Sequence, residues 1–265
     1  MAYYSECLLY SYKYGKDQGD AYHNKAMENY LHTSKYKNEP IVNYYYDKVH
    51  DIFDAIRYEK GGCVLHMLRN YVGDEAFFKS LNKYLTDNKY KNAELADLRK
   101  SFEEVTGEDL MWFFNQWWLS KGHPILDITH EYDPKTKSVV LTVKQTQVEA
   151  EGPIFRIPTK VDIYVNGKKE TKVIDIVDRA MSFTFPVEAA PQLVDFDADK
   201  VLLCEKTEDL SVAENIYKYY NTSLYKDKEE VLDALSYSVK DNAAVQEVFF
   251  KALQDKNWYT RIDAL

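Results

Sequence analysis

Tyr58-Glu59-Lys60-Gly61-Gly62-Cys63-Val64-Leu65-His66-Met67-Leu68 is the stretch from which the fold can be read. Val64, Leu65 and Leu68, continued by Tyr71 and Val72, recur at helical spacing. Two adjacent glycines early in a helix are costly by propensity. They must therefore serve close backbone packing or a turn into the helix. Tyr58 then occupies a tightly packed bend. It is either a core tyrosine or a hydroxyl offered to a substrate or transition state. His66 reads as a satisfied helix residue or as the lining of a cleft, the first being the plainer reading.

The helical pattern extends on both sides and fills residues 1–122. Gly73 ends the central helix, and Asp74 is placed to cap the next. There Phe77, Phe78, Leu81, Tyr84 and Leu85 form one stripe. Leu95, Leu98, Phe102 and Val105 form another, up to a break at Gly107. Leu110, Phe113, Phe114, Trp117 and Trp118 form a third, stopped by Gly122 and Pro124.

From Ile125 to Glu205 the period switches to two. Leu126, Ile128, His130 and Tyr132 alternate before an Asp133-Pro134 turn; Val139, Leu141 and Val143 alternate after it. Val161, Ile163 and Val165 lead to Asn166-Gly167, a strong hairpin signal. Ile174 and Ile176, then Met181, Phe183, Phe185 and Val187, continue the pattern. Leu193–Phe196 and Val201–Cys204 complete about seven strands. One wet face and no intervening long helix predict an antiparallel sandwich or barrel. Beyond Glu208 the helical period returns: Val231, Leu232 and Leu235, a cap at Asp241, then Val245, Val248, Phe249 and Leu253. Trp258, Ile262 and Leu265 open a stripe within which the chain stops, which predicts that the helical series belongs to a longer protein. Short helices joined by Asp-Lys and Asp-Asn turns suggest stacked pairs.

The chain has 265 residues, 45% of them hydrophobic and 29% charged, ordinary values for a globular protein. A chain of this length buries roughly 70% of its unfolded surface. Lys plus Arg number 34 against 43 Asp plus Glu, a net charge of -9, which argues against general nucleic-acid binding. No apolar run is long enough for a membrane span, and no signal peptide is visible. Cys7, Cys63 and Cys204 form no CxxC pair and no disulfide framework; unpaired cysteines lean toward a cytoplasmic setting, while a periplasmic or secreted one stays open. The 23 tyrosines read first as aromatic packing with wet hydroxyl ends, and second as a surface for carbohydrate or peptide.

Chemistry-bearing motifs are sparse. None of the six histidines lies in H-E-x-x-H. Asp47, His50 and Asp54 stand one helical turn apart beside Asp51, a grouping better read as a solvated face than as a metal site. No phosphate-cradling glycine motif occurs. Nucleophile and base cannot be paired from the sequence.

The quoted stretch resembles a segment of the aminopeptidase N-like zinc peptidases, peptidase family M1, whose pattern there is Y-x-K-G, then small and apolar residues, then M-L. Val72-Gly73-Asp74-Glu75-Ala76-Phe77, Tyr90-Lys91-Asn92-Ala93 with Leu98, Thr106-Gly107-Glu108-Asp109-Leu110, and Phe114, Trp117 with Gly122-His123-Pro124 continue the similarity in order. Ala2, Tyr4, Glu6 and Leu8 fit the family's F-A-x-Y-x-E-x-L, which follows directly after its third zinc ligand. In that register the chain starts just after the zinc site.

The resemblance implies a multidomain α+β fold. Residues 1–122 are then the α-helical C-terminal half of a thermolysin-like domain, 123–206 an antiparallel β-sandwich and 207–265 the start of an α-helical repeat domain. It implies a parent zinc aminopeptidase that hydrolyses N-terminal residues from peptides, in which Tyr58 stabilises the oxyanion of the tetrahedral intermediate. It also implies that this chain alone, without H-E-x-x-H and the third ligand, holds no Zn2+ and is inactive, and that the exposed face of its partial domain self-associates. Two readings remain beside it: a noncatalytic scaffold or peptide-binding relative of the same fold, and a sandwich interaction module with helical flanks.

Overall fold

A computed structural model describes residues 1–265. Helices α1 (Ala2–Tyr14) and α2 (Lys16–Ser34) form an antiparallel pair. After a long connection, a wide turn at Ile56–Lys60 feeds α3 (Gly61–Val72). Then come α4 (Asp74–Asp87), α5 (Leu95–Thr106) and the short α6 (Met111–Phe114), which runs into a second wide turn at Asn115–Leu119. The stripes expected here are buried in part: Phe77, Leu98, Phe102, Leu110, Phe113, Phe114, Trp117 and Trp118 lie in the core, whereas Phe78 and Leu85 of the first stripe are exposed. Gly73 ends α3 as expected, but Asp74 does not cap α4. It sits in the helix's first turn and takes two hydrogen bonds from Arg69, both at 2.7 Å, so its carboxylate is spent across the turn.

Gly122 marks the passage to the sheets. Its φ is +79°, and a Cβ there would come within 2.2 Å of the Glu151 carbonyl oxygen, so no other residue fits.

Seven strands follow: β1 (Ile125–Asp133), β2 (Ser138–Gln145), β3 (Ile157–Val165), β4 (Lys168–Ile176), β5 (Ala180–Pro186), β6 (Leu193–Phe196) and β7 (Glu205–Glu208). They make a four-stranded sheet, β5-β2-β1-β7, and a three-stranded sheet, β4-β3-β6. The β3–β4 hairpin turns at Asn166-Gly167, both with positive φ. Every pairing is antiparallel except one: β7 runs parallel to β1, Ile125 facing Glu205. The last strand is Glu205–Glu208, and the apolar run before it is not a strand. Leu202 N–H instead donates to Asp197 Oδ2 at 2.9 Å, and Leu203 N–H to Met67 Sδ at 3.3 Å, so those amides have no ladder partner.

Helices α7 (Val212–Asn221), α8 (Tyr225–Leu235), α9 (Ala243–Ala252) and α10 (Trp258–Asp263) close the chain. Asn242, not Asp241, caps α9, accepting from Ala244 and Val245 N–H. α-Helical regions thus flank a β-sheet region on both sides. One core of 35 buried residues runs without interruption from Tyr4 through the first helices into the sandwich as far as Cys204; a separate core of 8 lies among the final helices.

Candidate functional site

The turn at Ile56–Lys60 closes on Lys60 N–H donating to Ala55 O, five residues back, at 2.9 Å. Such widened turns recur at functional sites. Ile56 and Lys60 are driven fully inside, while Tyr58 between them is 41% exposed. Its ring is flanked by Tyr3 of α1, centroids 6.4 Å apart, and by Phe53, 6.1 Å away. These fix the ring and leave its hydroxyl end without a partner in the chain.

Gly62 explains why the two elements can approach. A Cβ at residue 62 would meet Tyr3 Cδ1 at 3.0 Å, so the close packing expected of the glycine pair is real at 62. Nothing within reach requires glycine at 61.

Around Tyr58 the groups are acidic and phenolic. Asn29 donates to Glu59 Oε1 at 2.7 Å, and Tyr22 donates to Glu6. Burial, with Glu59 nearby, pushes the Tyr3 phenol up to about 12. The exposed residues in this part of the chain are strongly aromatic: Tyr12, Tyr36, Tyr44, Tyr45 and Phe53 all stand open to solvent.

His66 is bonded and buried. Its Nδ1 lies 2.9 Å from Tyr4 Oη, and its ring centroid is 4.2 Å from that of His23. Burial holds His66 well below the usual histidine range and His23 at about 4. Both line a cavity of about 40 Å³, room for about one water. His66 is therefore both helix residue and cavity lining. His50 and Asp51 meet at 3.1 Å, but Asp47, His50, Asp51 and Asp54 form no joint metal site. Only Val49–Ile52 is helical there, and Asp54 is paired with Lys37 at 2.6 Å and Arg57 at 2.9 Å. No group of three or more His, Cys, Asp or Glu side chains is arranged to hold a metal ion. Cys7, Cys63 and Cys204 are free and buried.

Sequence reasoning missed two features. Lys60 is fully buried, and its Nζ has no hydrogen-bond partner. The Tyr30 ring face lies 5.5 Å away, and burial, with Arg57 acting in the same direction, pulls the amine down to about 7. The second is a relay from α2 to β7: Tyr30 Oη lies 3.1 Å from His123 Nδ1, and His123 Nε2 lies 3.1 Å from Glu205 Oε1. A lysine reads as a surface residue by default and a histidine as neither inside nor outside, so neither letter announced its burial.

Comparison with known proteins bears on this geometry. Residues 1–117 match the family model described as Peptidase family M1 domain. Aminopeptidase M1-A of Oryza sativa subsp. japonica is 30% identical over 198 residues, covering 74% of this chain and 20% of the relative. Aminopeptidase N of Lactococcus lactis subsp. lactis is 34% identical over 129 residues, 47% of this chain and 14% of the relative. The crystal structure of Legionella pneumophila aminopeptidase A in complex with aspartic acid superposes with a TM-score of 0.77 at 19% identity, over 99% of this chain and 31% of that one. The chain is thus homologous to the M1 aminopeptidases and shares their fold. It spans about a fifth of the length of the first curated relatives it matches.

Proposed function

We propose that this chain is a portion of an M1-type zinc aminopeptidase that removes N-terminal residues from peptides, and that Tyr58 is its contribution to the chemistry. The observation that carries this reading is the position of Tyr58, inside the segment homologous to the M1 domain, with its ring fixed and its hydroxyl unengaged. A neutral phenol aimed at the scissile carbonyl donates a hydrogen bond that strengthens as negative charge develops on the oxygen. The side chains of this chain do not fit a zinc ion, since no three donors converge. On this reading the chain supplies an oxyanion donor and a scaffold, and by itself hydrolyses no aminoacyl substrate. Residues 1–122, 123–206 and 207–265 then form the helical half of a catalytic domain, a β-sandwich and the start of a helical repeat; the separate core among the last helices supports the final division.

The test is Tyr58→Phe in a full-length protein carrying this segment, assayed on an aminoacyl anilide. Loss of one oxyanion donor lowers kcat by about 10²–10³-fold and leaves KM nearly unchanged. The exposed aromatic residues before Tyr58 suggest a covered face. We infer that the isolated chain self-associates through it. Light scattering should show a mass that rises with concentration, and Tyr45→Glu with Phe53→Glu should return it to one chain; a concentration-independent monomer would refute this.

A further inference from the structure

Between the first helices and the sandwich lies a cavity of about 230 Å³. The larger part of its wall is apolar: Met67 and Tyr71 of α3, Phe113 and Trp117, Ile157 of β3, and Leu202. The charged groups that reach it already hold partners, and Asn70 donates to Asp199 at 3.3 Å. Lys160 holds Asp199 at 2.8 Å. Arg156 holds Asp175 at 2.7 Å and lies over the Trp112 ring, 4.5 Å from its centroid. Asp197 accepts from Leu202 N–H at 2.9 Å and from Thr159 Oγ1 at 3.2 Å. No lining residue is among the buried polar groups that lack a partner. A second cavity, of about 310 Å³, differs: Glu28, Lys206, Lys226 and Glu230 line it.

An occupant of the first cavity meets hydrocarbon and aromatic faces, and the cations that reach it, Lys160 and Arg156, already hold carboxylates. A charged ligand entering it would lose hydration and would have to displace an existing ion pair to gain a partner. An apolar cavity of about 150 Å³ takes up benzene, so the space here suits a slightly larger molecule. We propose that this cavity is a binding site for an uncharged one- or two-ring aromatic compound of about the size of indole. The occupant touches both α3 and β3, and so stabilises the junction between the first helices and the sandwich.

The probe is indole, titrated into the whole chain carrying ¹³C-methyl methionine. Met67 lies in the wall, while Met27 and Met181 do not. The Met67 methyl resonance should shift saturably, with those of Met27 and Met181 unmoved, and the melting temperature should rise with indole concentration. Val173 lines the mouth and is 76% exposed, so Val173→Trp obstructs the opening without disturbing the core. A cooperative melt of the free variant checks its fold, and binding should weaken at least about tenfold. Benzoate should bind at least about tenfold more weakly than indole, its carboxylate having to compete with Asp175 and Asp199 for the cations they already hold. Absence of a saturable Met67 shift, undiminished binding by the folded Val173→Trp chain, or benzoate binding as tightly as indole would each overturn the proposal.

Discussion

The β-sandwich is joined to the rest of the molecule by two seams of opposite chemistry. Toward the first helices the seam is hydrocarbon. Trp117 is 2% exposed and packs on Phe155 with centroids 4.8 Å apart, and one core continues through both parts. Its polar links include a neutral one in which the Gln116 amide bonds the Arg156 backbone in both directions at 2.8 and 2.9 Å. Toward the last helices the seam is ionic. Asp195 of β6 takes Lys200 at 2.8 Å and Lys218 of α7 at 3.0 Å. Glu230 of α8 takes Lys218 at 3.0 Å and Lys206 at 3.1 Å. The side chains of Asp195, Lys200 and Lys218 are all nearly inaccessible, at 2–3%. Burial opposes ionising Asp195 and Glu230, but the lysines outweigh it and hold both carboxyls below the usual range. Asp227 fits less well. Its Oδ1 lies 3.3 and 3.5 Å from Lys200 and Lys218 without a well-directed hydrogen bond, and burial raises its pKa.

An apolar seam adds stability in proportion to its area; buried charges add little net stability, and here they set which residues must meet across the seam. The first helices and sandwich therefore behave as one body, and the last helices are held by fit. His130 of β1 adds to that fit, placing Nε2 2.7 Å from Glu214 of α7.

The contrast breaks most visibly at Trp117. Trp117→Ala should cost about 3–5 kcal/mol and shift one transition shared by helices and sandwich, followed by urea unfolding. Two separated transitions would mean that the core is not continuous. Asp195→Leu comes next. It strips a shared carboxylate from two buried lysines and should cost about 3 kcal/mol. Replacing Asp195, Lys200, Lys218 and Asp227 together by apolar residues should cost little or nothing. If both changes cost the same, the network is a source of stability and not of register.

Acid separates the seams more gently. His23, His66 and His123 are all held below the usual histidine range, burial being the first cause. All three lie in the first helices or at their seam. A group with a lowered folded pKa binds its proton chiefly on unfolding. Its contribution is therefore complete above pH ~6.5 and lost as pH falls through the folded value. For His23, from 6.5 to about 4, the loss is on the order of 3 kcal/mol. Asp195 and Glu230 keep their contribution until pH drops below ~4, the unfolded carboxylate range. The urea midpoint of Trp258→Phe, read by the remaining tryptophans near the first seam, should fall between pH 6.5 and 4, and His23→Gln should flatten that fall. An unchanged slope in His23→Gln would remove the histidine from the account.

What the sequence disclosed follows the same division. The apolar seam was legible because its residues repeat at 3.6 and 2.0: Phe113, Phe114, Trp117, Val139, Leu141 and Val143 are buried where the period places them. Asn166-Gly167 fixed a hairpin through local backbone chemistry. The ionic seam was not legible, because a buried lysine has the same letter as a solvated one; Lys200 is joined to Asp227 and Lys218 to Asp195 across different elements. The strand at Glu205–Glu208 was displaced in the reading for a related reason. Leu202, Leu203 and Cys204 look like a strand, yet they are buried by packing on α3 and its neighbours, while the polar residues after them make the ladder. At the candidate site, the bend and the tight glycine packing were legible in Tyr58 and Gly62. The inward turn of Lys60 needed the widened helical turn, which leaves no periodic signature.

The most direct measurement is the steady-state kinetics of Tyr58→Phe in a full-length protein that carries this segment. A kcat lowered about 10²–10³-fold with KM nearly constant, in a variant that melts like the unaltered protein, is the result expected of an oxyanion donor. A kcat equal to that of the unaltered protein would contradict the role given to Tyr58.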